Sequence, residues 1–246
     1  MATFRDEFSS VASAYAAFRP RYPAAMIAHL ASLAPARETA WDCATGNGQA
    51  ATALADHFRA VHATDASVAQ LGSAERRRGV HYAAALGEAA PFRDRSVSLV
   101  TIAQALHWLN IPRFFEEVRR VLVPDGIVAA WCYSFVEIDG EIDPVLSRFY
   151  SATLGPYWAP ERRLVDARYR TIALPFEELE TPAFEIVEML TLEAFASYVR
   201  TWSAVLRYRQ TVGQDPVVEL VDSLRPRWGD GSRRVRWPLS LRVGRR

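Results

Sequence analysis

Between residues 39 and 133, five short apolar runs alternate with segments of helical spacing, and that alternation limits the fold more than any other feature of the chain. "TAWDC", "AVHAT" ending at Asp65, "VHYAA", "SVSLVTIAQ" and "IVAAWCY" read as strands one to five. Helices are expected from Asn47 to Phe58, from a capping Ser67 to about Arg77, and over "IPRFFEEVRRVL". In the last of these, Pro112 suits a first turn whose N–H has no partner within the helix. Apolar strands alternating with helices call for a parallel sheet covered on both faces. Upstream, an N-terminal cap of about residues 1–36 is amphipathic to Phe18, breaks at Pro20 and Pro23, and restarts as a helix to about Leu33.

After Tyr133 the rhythm changes. Residues 137–182 hold helical segments rich in aromatic and arginine side chains but no strong strand. They read as a lid over the C-terminal edge of the sheet, where open α/β sheets bind ligands. Tyr150, Tyr157, Trp158 and Tyr169 favour a lid, because large aromatic side chains are costly to expose in such number. "AFEIVEML" then reads as strand six, two helices follow, and "RVRWPLSLRVGR" closes the chain as strand seven, expected to run antiparallel. The expected fold is one α/β domain: a doubly wound, mostly parallel seven-stranded sheet of Rossmann-like type, with a cap and a lid.

Composition narrows the function classes. The chain has 246 residues, 50% hydrophobic and 23% charged, which suits a single globular domain. A net charge of +1 gives no global attraction to nucleic acid or to an anionic membrane. All 29 basic residues are arginine, and those of the tail are spaced along a strand, as on a solvated sheet face. Cys43 and Cys132 end two different strands without metal-type spacing to histidine, so free thiols and no metal are expected. No stretch approaches the roughly 20 apolar residues of a membrane span, and the N-terminus has no signal-type apolar core. A cytoplasmic monomer or homodimer acting on a small molecule is the expectation.

The stretch "WDCATGNGQAATALADHF" carries the chemistry. A strand, a tight glycine turn and a helix start present backbone N–H groups to a cofactor. Gly46-x-Gly48-x-x-Ala51 fits a dinucleotide fingerprint as well, so the turn alone does not choose. Asp65, at the end of strand two, can accept both ribose hydroxyls of an adenosine group, whether of NAD or of S-adenosylmethionine. Asp42 does discriminate: four residues before Gly46, it can meet an ammonium group but would repel a pyrophosphate. Glu88 and the turn "APFRDRS" stand beside the expected adenine position.

These segments together resemble the class I S-adenosylmethionine-dependent methyltransferases, in particular the small-molecule branch that includes trans-aconitate methyltransferase. "FSSVASAYAAFRPRYP", "WDCATGNGQ", "TDAS", "GEAAPFRDRSVSLV", "AQALHW" and "EEVRRVLVPDGIVAAW" carry the resemblance, which covers most of the chain. It implies that Ala44, Gly46 and Gly48 line the methionine part of the cofactor; Gln49, beside them, and Asp42 are expected cofactor-binding residues as well. It further implies Asp65 and Ala66 at the ribose, Gly87 and Glu88 at the adenine, and Gln104 near the methionine end. Tyr15 and Arg19 would close over the cofactor, the arginine as partner of the methionine carboxylate. One departure stands out: Ala44 replaces a glycine of the family. Alanine fits an ordinary negative-φ turn, but a position needing φ > 0 would not accept it cheaply.

Methyl transfer from a sulfonium is an in-line displacement with a good leaving group, so alignment and exclusion of water are the main tasks. A base is needed only for an acceptor that is protonated at working pH. His107 is the histidine placed for that role; the alternatives are a pocket wall or a hydrogen-bond donor. Trp108 reads as packing or pocket wall, and Tyr157 and Trp158 as acceptor contacts. Six arginines in or near the lid (Arg148, Arg162, Arg163, Arg168, Arg170 and Arg200) would suit an anionic acceptor, the carboxylate that the resemblance favours. The competing readings are an NAD-linked oxidoreductase and a cofactor-binding protein of the same fold without transfer activity.

Overall fold

The computed structural model describes residues 19–133 and 135–246. Helix α1 (Ala24–Leu33) precedes strand β1 (Thr39–Cys43), followed by α2 (Gln49–Leu54), β2 (Ala60–Asp65), α3 (Val68–Gly72) and β3 (Val80–Ala84). Then come β4 (Val97–Ala103), a 3-10 turn (Leu106–Trp108), α4 (Ile111–Val121) and β5 (Leu122–Tyr133). Strands β1 to β5 are parallel and ordered β3-β2-β1-β4-β5. They form because their residues are apolar on both faces: six of the seven positions of β4 are buried, as a strand covered on both sides requires.

Each face has its own core. Trp41, Val100, Phe114, Val118 and Val128 fill one side, where α4 lays its apolar stripe on the sheet. Met26, Ile27 and Leu30 of α1 and Ala50, Ala51 and Leu54 of α2 cover the other side, together with Trp131. Asn110 caps α4 by accepting from the Arg113 N–H at 3.4 Å, and Pro112 sits in the first turn as its missing donor permits. Ser67 caps α3 by accepting from the Gln70 N–H at 3.2 Å.

The first two helices after the sheet begins are shorter than expected. Helix α2 ends at Leu54 and gives way to turns before Phe58. Helix α3 ends at Gly72, because glycine weakens it and the following "ERRR" run offers no apolar residue to bury. Strand β5, in contrast, extends back to Leu122 through a bulge that contains the "PDG" turn, with Asp125 at φ 60°.

Residues 137–182 carry α5 (Asp143–Arg148), a π-helical turn (Phe149–Thr153), a 3-10 turn (Gly155–Tyr157), α6 (Arg162–Asp166) and β6 (Glu177–Leu179). Strand β7 (Phe184–Leu190), helices α7 (Leu192–Arg200), α8 (Ser203–Val212) and α9 (Val217–Trp228), and strand β8 (Arg233–Arg245) complete the chain. Strand β8 runs antiparallel to β5, as expected for the last strand. The seven expected strands all form. An eighth, β6, was not expected, since three residues show no readable alternation. Strand β6 pairs with residues 243–245 of β8 and β7 with residues 233–239, so the two share one position at the sheet edge.

Three helices also stand where two were expected. The break falls at Trp202, which is extended (φ -70°, ψ 135°) and buries its ring against Tyr198, Trp158 and Tyr150. Arginines of β8 meet acids of the neighbouring strands: Arg236 pairs with Glu185 at 2.6 Å and Arg242 with Glu178 at 2.8 Å. Among the described residues no helix is long and apolar enough to cross a membrane.

Candidate functional site

Strand order reverses at β1, which has β2 on one side and β4 on the other. Such a switch point leaves a crevice beyond the C-terminal strand ends. A cavity of about 460 Å³ opens there. The turn leaving β1 forms one wall, and its backbone explains why these residues stand in it. Ala44, Gly46 and Gly48 all have positive φ, at 52°, 56° and 88°. The Thr45 N–H donates to the Thr64 carbonyl at 2.9 Å, and Asp65 fixes the rest. One Asp65 oxygen accepts from the Gly46 N–H and the other from the Ser67 N–H, both at 2.8 Å. A single carboxylate thus ties the β1 turn to the β2 turn.

The three left-handed positions serve different ends. A Cβ on Gly46 would meet nothing closer than the Gln70 Oε1 at 3.9 Å, so this residue is open to the cavity. Gly48 does not line the cavity; a Cβ there would collide with the Tyr82 hydroxyl. Its glycine serves the turn and the packing of β3, which corrects the expectation of a cofactor contact. Ala44 occupies the φ > 0 conformation that an ordinary turn would have avoided, so the missing family glycine does carry backbone strain.

Asp42 is also corrected. It is buried in the floor, accepting from the Thr101 hydroxyl at 2.7 Å and from Thr45 Oγ1, and it does not line the cavity. Burial pushes its carboxyl up to about 6, against the hydrogen bonds from Thr45 and Thr101.

Arg19, Ala44, Gly46, Gln49, Asp65, Ala66, Gly87, Glu88, Gln104, His107 and Trp108 all line the cavity, whereas Tyr15 lies outside the described residues. Glu88 accepts from the Asn110 N–H at 2.7 Å and so braces the β3–β4 loop against the start of α4. Gly87 packs on Cys43 and Leu109, where a Cβ would clash at 2.8 and 2.9 Å. Gln104, at φ 55°, donates to the Tyr133 carbonyl at 3.3 Å. Arg19 donates to the Tyr133 hydroxyl at 2.9 Å and to the Thr201 carbonyl at 3.2 Å, bridging β5 and the end of α7.

A second chamber of about 60 Å³ shares Arg19, Gln104, His107, Trp108 and Tyr133 with the first and adds Trp158, Arg162, Tyr198 and Trp202. One of its two cations, Arg162, is held on an aromatic platform and paired with Asp166 at 3.1 Å. The Arg162 guanidinium lies 4.7 Å from the Trp158 ring centroid and 5.5 Å from that of Tyr150, whose hydroxyl accepts from Arg162 Nε at 2.8 Å. Of the six arginines singled out in the sequence, Arg162 alone lines this chamber; like Arg162, Arg200 is paired with an acid, Asp215 at 2.7 Å. Tyr157 does not line this chamber; its ring lies 4.9 Å from that of Tyr208, centroid to centroid.

His107 is 8% exposed and stands at the junction of the two chambers, its Nδ1 2.8 Å from the Tyr169 hydroxyl. Burial, with Arg162 adding to it, lowers its pKa to about 3. A ring so reluctant to take a proton is a weak base, and this counts against the general-base reading.

Sequence reasoning did not single out Tyr133, Tyr198, Trp202 or Glu161. Tyr133 was within reach, as the last residue of β5 on the ligand-binding edge. Tyr198 and Trp202 read as ordinary helix core, because nothing local says that α7 ends beside the cavity.

The comparisons agree with this geometry. The methyltransferase domain family matches residues 41–130. A Dictyostelium discoideum protein described as a candidate methyltransferase is 31% identical over 225 residues, spanning 90% of this chain and 86% of its own. A solved structure from Anaeromyxobacter dehalogenans, described as a candidate type II methyltransferase, is 44% identical with a TM-score of 0.87, covering 93% of this chain and 98% of its own. One from Bacillus halodurans, at 20% identity and a TM-score of 0.53, shares the fold. Family, fold and the cradle at the β1 turn converge: the chain belongs to the class I S-adenosylmethionine-dependent methyltransferases.

Proposed function

We propose that the protein methylates a carboxylate oxygen of a small molecule, with S-adenosylmethionine in the larger chamber and the acceptor in the smaller. The observation that carries this reading is the second chamber itself: it meets the first at His107, it is lined by aromatic rings, and its cations are Arg19 and Arg162. S-adenosylmethionine supplies an electrophilic methyl group whose transfer to an ionised carboxylate releases a neutral thioether and requires no proton transfer. A site with a weakly basic His107 and two guanidinium groups suits such an acceptor better than a phenol, which must lose its proton.

On this reading Gly46 and Gln49 lie along the methionine part, Asp65 and Ala66 hold the ribose, and Gly87 and Glu88 border the adenine. Arg19, donating between Tyr133 and Thr201, closes the methionine end beside Gln104. Trp108 and Trp158 wall the acceptor. Residues 137–182 act as the lid, since they contribute Trp158, Glu161 and Arg162 to the two chambers. A nicotinamide-dependent reaction has no support in the family to which the chain belongs.

Titration calorimetry with S-adenosylmethionine and NAD, followed by turnover on matched carboxylate and phenol panels, tests the reading. Binding of S-adenosylmethionine alone and methyl ester formation are expected, with a rate that stays level as pH falls through 6.5. Phenol methylation with a rate declining below that pH would overturn it.

A further inference from the structure

Tyr169 lies in the turn after α6, fully buried, with its carbonyl held by the Arg242 guanidinium at 2.8 Å. Its hydroxyl is 2.8 Å from His107 Nδ1. The hydroxyl is buried, and among the described residues His107 Nδ1 is the acceptor within reach of its proton. In the reverse arrangement Nδ1–H would donate to the hydroxyl oxygen and the buried hydroxyl proton would lack an acceptor, which is costly.

We propose that Tyr169 is a positioning residue that fixes His107 as the Nε2–H tautomer, so that His107 offers the acceptor a hydrogen-bond donor and has no lone pair with which to act as a base. The assignment of the acceptor rests on the function proposed above; the tautomer does not. Nδ1 is occupied by the hydroxyl, so Nε2 is the ring nitrogen left for the two chambers that His107 lines. Beside it stands Arg162, a second pure donor. The corner where acceptor meets cofactor therefore offers donors, and the complementary group is an anionic oxygen. In the transfer, an oxygen lone pair forms the new O–C bond, the C–S bond breaks with its electron pair going to sulfur, and no proton moves. The Nε2–H bond orients the anion's second oxygen and leaves the attacking one free.

Long-range ¹H–¹⁵N spectra of the full chain without ligands test this, with His107 assigned by the signal lost in His107→Gln. A protonated Nε2 and an unprotonated Nδ1 are expected in the wild type. Tyr169→Phe, which removes only the hydroxyl, should give a mixture of tautomers, with KM for a carboxylate acceptor raised about tenfold and the Kd of S-adenosylmethionine unchanged. An Nδ1–H tautomer in the wild type would overturn the proposal, even if the variant fails to fold; so would an unchanged His107 spectrum in Tyr169→Phe. If the tautomer is found as stated but no carboxylate is methylated, the acceptor reading fails and the lock stands.

Discussion

The Asp65 carboxylate and the Gly46 amide meet at 2.8 Å, and this bond joins the end of β2 to the turn that leaves β1. A second bond, from the Ser67 N–H, occupies the other carboxylate oxygen. Asp65 is therefore a structural clasp as well as the proposed ribose ligand. Asp65→Ala should weaken S-adenosylmethionine at least tenfold, since hydrogen bonds to charged groups contribute about 1.5–3 kcal/mol each. It should also lower the melting temperature of the free protein. Calorimetry and thermal unfolding measure the two effects, and an unchanged Kd would move the ribose elsewhere.

Gly46 combines a φ of 56° with open space around the position of a Cβ. Gly46→Val would hold a β-branched residue in a left-handed conformation and push its side chain into the cavity. Loss of S-adenosylmethionine binding is expected, while the far-ultraviolet circular dichroism keeps the α/β signature. Wild-type affinity in this variant would place the cofactor outside the cavity.

Ala44 stands in a left-handed conformation at φ 52° that costs a non-glycine residue about 1–2 kcal/mol. Glycine would relieve that strain but gain entropy in the unfolded chain, an opposing effect of roughly 0.4–1 kcal/mol. Ala44→Gly should therefore be neutral to stabilising, by up to about 1.6 kcal/mol. Denaturant unfolding reads this from the midpoint, and a clear destabilisation would show that the strain is absorbed elsewhere.

Asp42 and His107 are buried groups with opposite pH dependence. The Asp42 carboxyl lies at about 6 when folded against an ordinary 3.8, so the folded state holds the extra proton between those values. Its contribution to stability is full below 3.8 and is lost as pH rises to about 6. His107 lies at about 3 against an ordinary 6.5, so the unfolded state holds the extra proton, and stability falls as pH drops from 6.5 towards 3. Each slope is about 1.4 kcal/mol per pH unit where it is fully developed. Between about pH 4 and 6 the two oppose each other. Relative to wild type, Asp42→Asn should lose stability on acidification across this window and His107→Gln should gain it. Unfolding free energies at several pH values check the pair; parallel profiles for the two variants would contradict it.

The sequence alone determined the sheet, its order of elements and its binding edge. Strands such as β1, β2 and β4 are short apolar runs whose character depends on their own residues, and glycine turns and caps such as Ser67 act within a few positions. That locality is why Gly46, Asp65, Gly87, Glu88 and Gln104, which line one crevice, are legible from the sequence. Only the tertiary structure decided which way the remaining side chains point. Gly48 answers to Tyr82 on β3, and Asp42 turns to Thr101 on β4, both partners distant in the chain. The acceptor chamber is more dependent still. Trp158 and Arg162 come from one segment, Tyr198 and Trp202 from another, and His107 acquires its weak basicity from burial and from Arg162. Periodicity cannot report such encounters, because the side chains that meet there belong to elements brought together by packing, and the electric environment of a buried ring exists only once they have met.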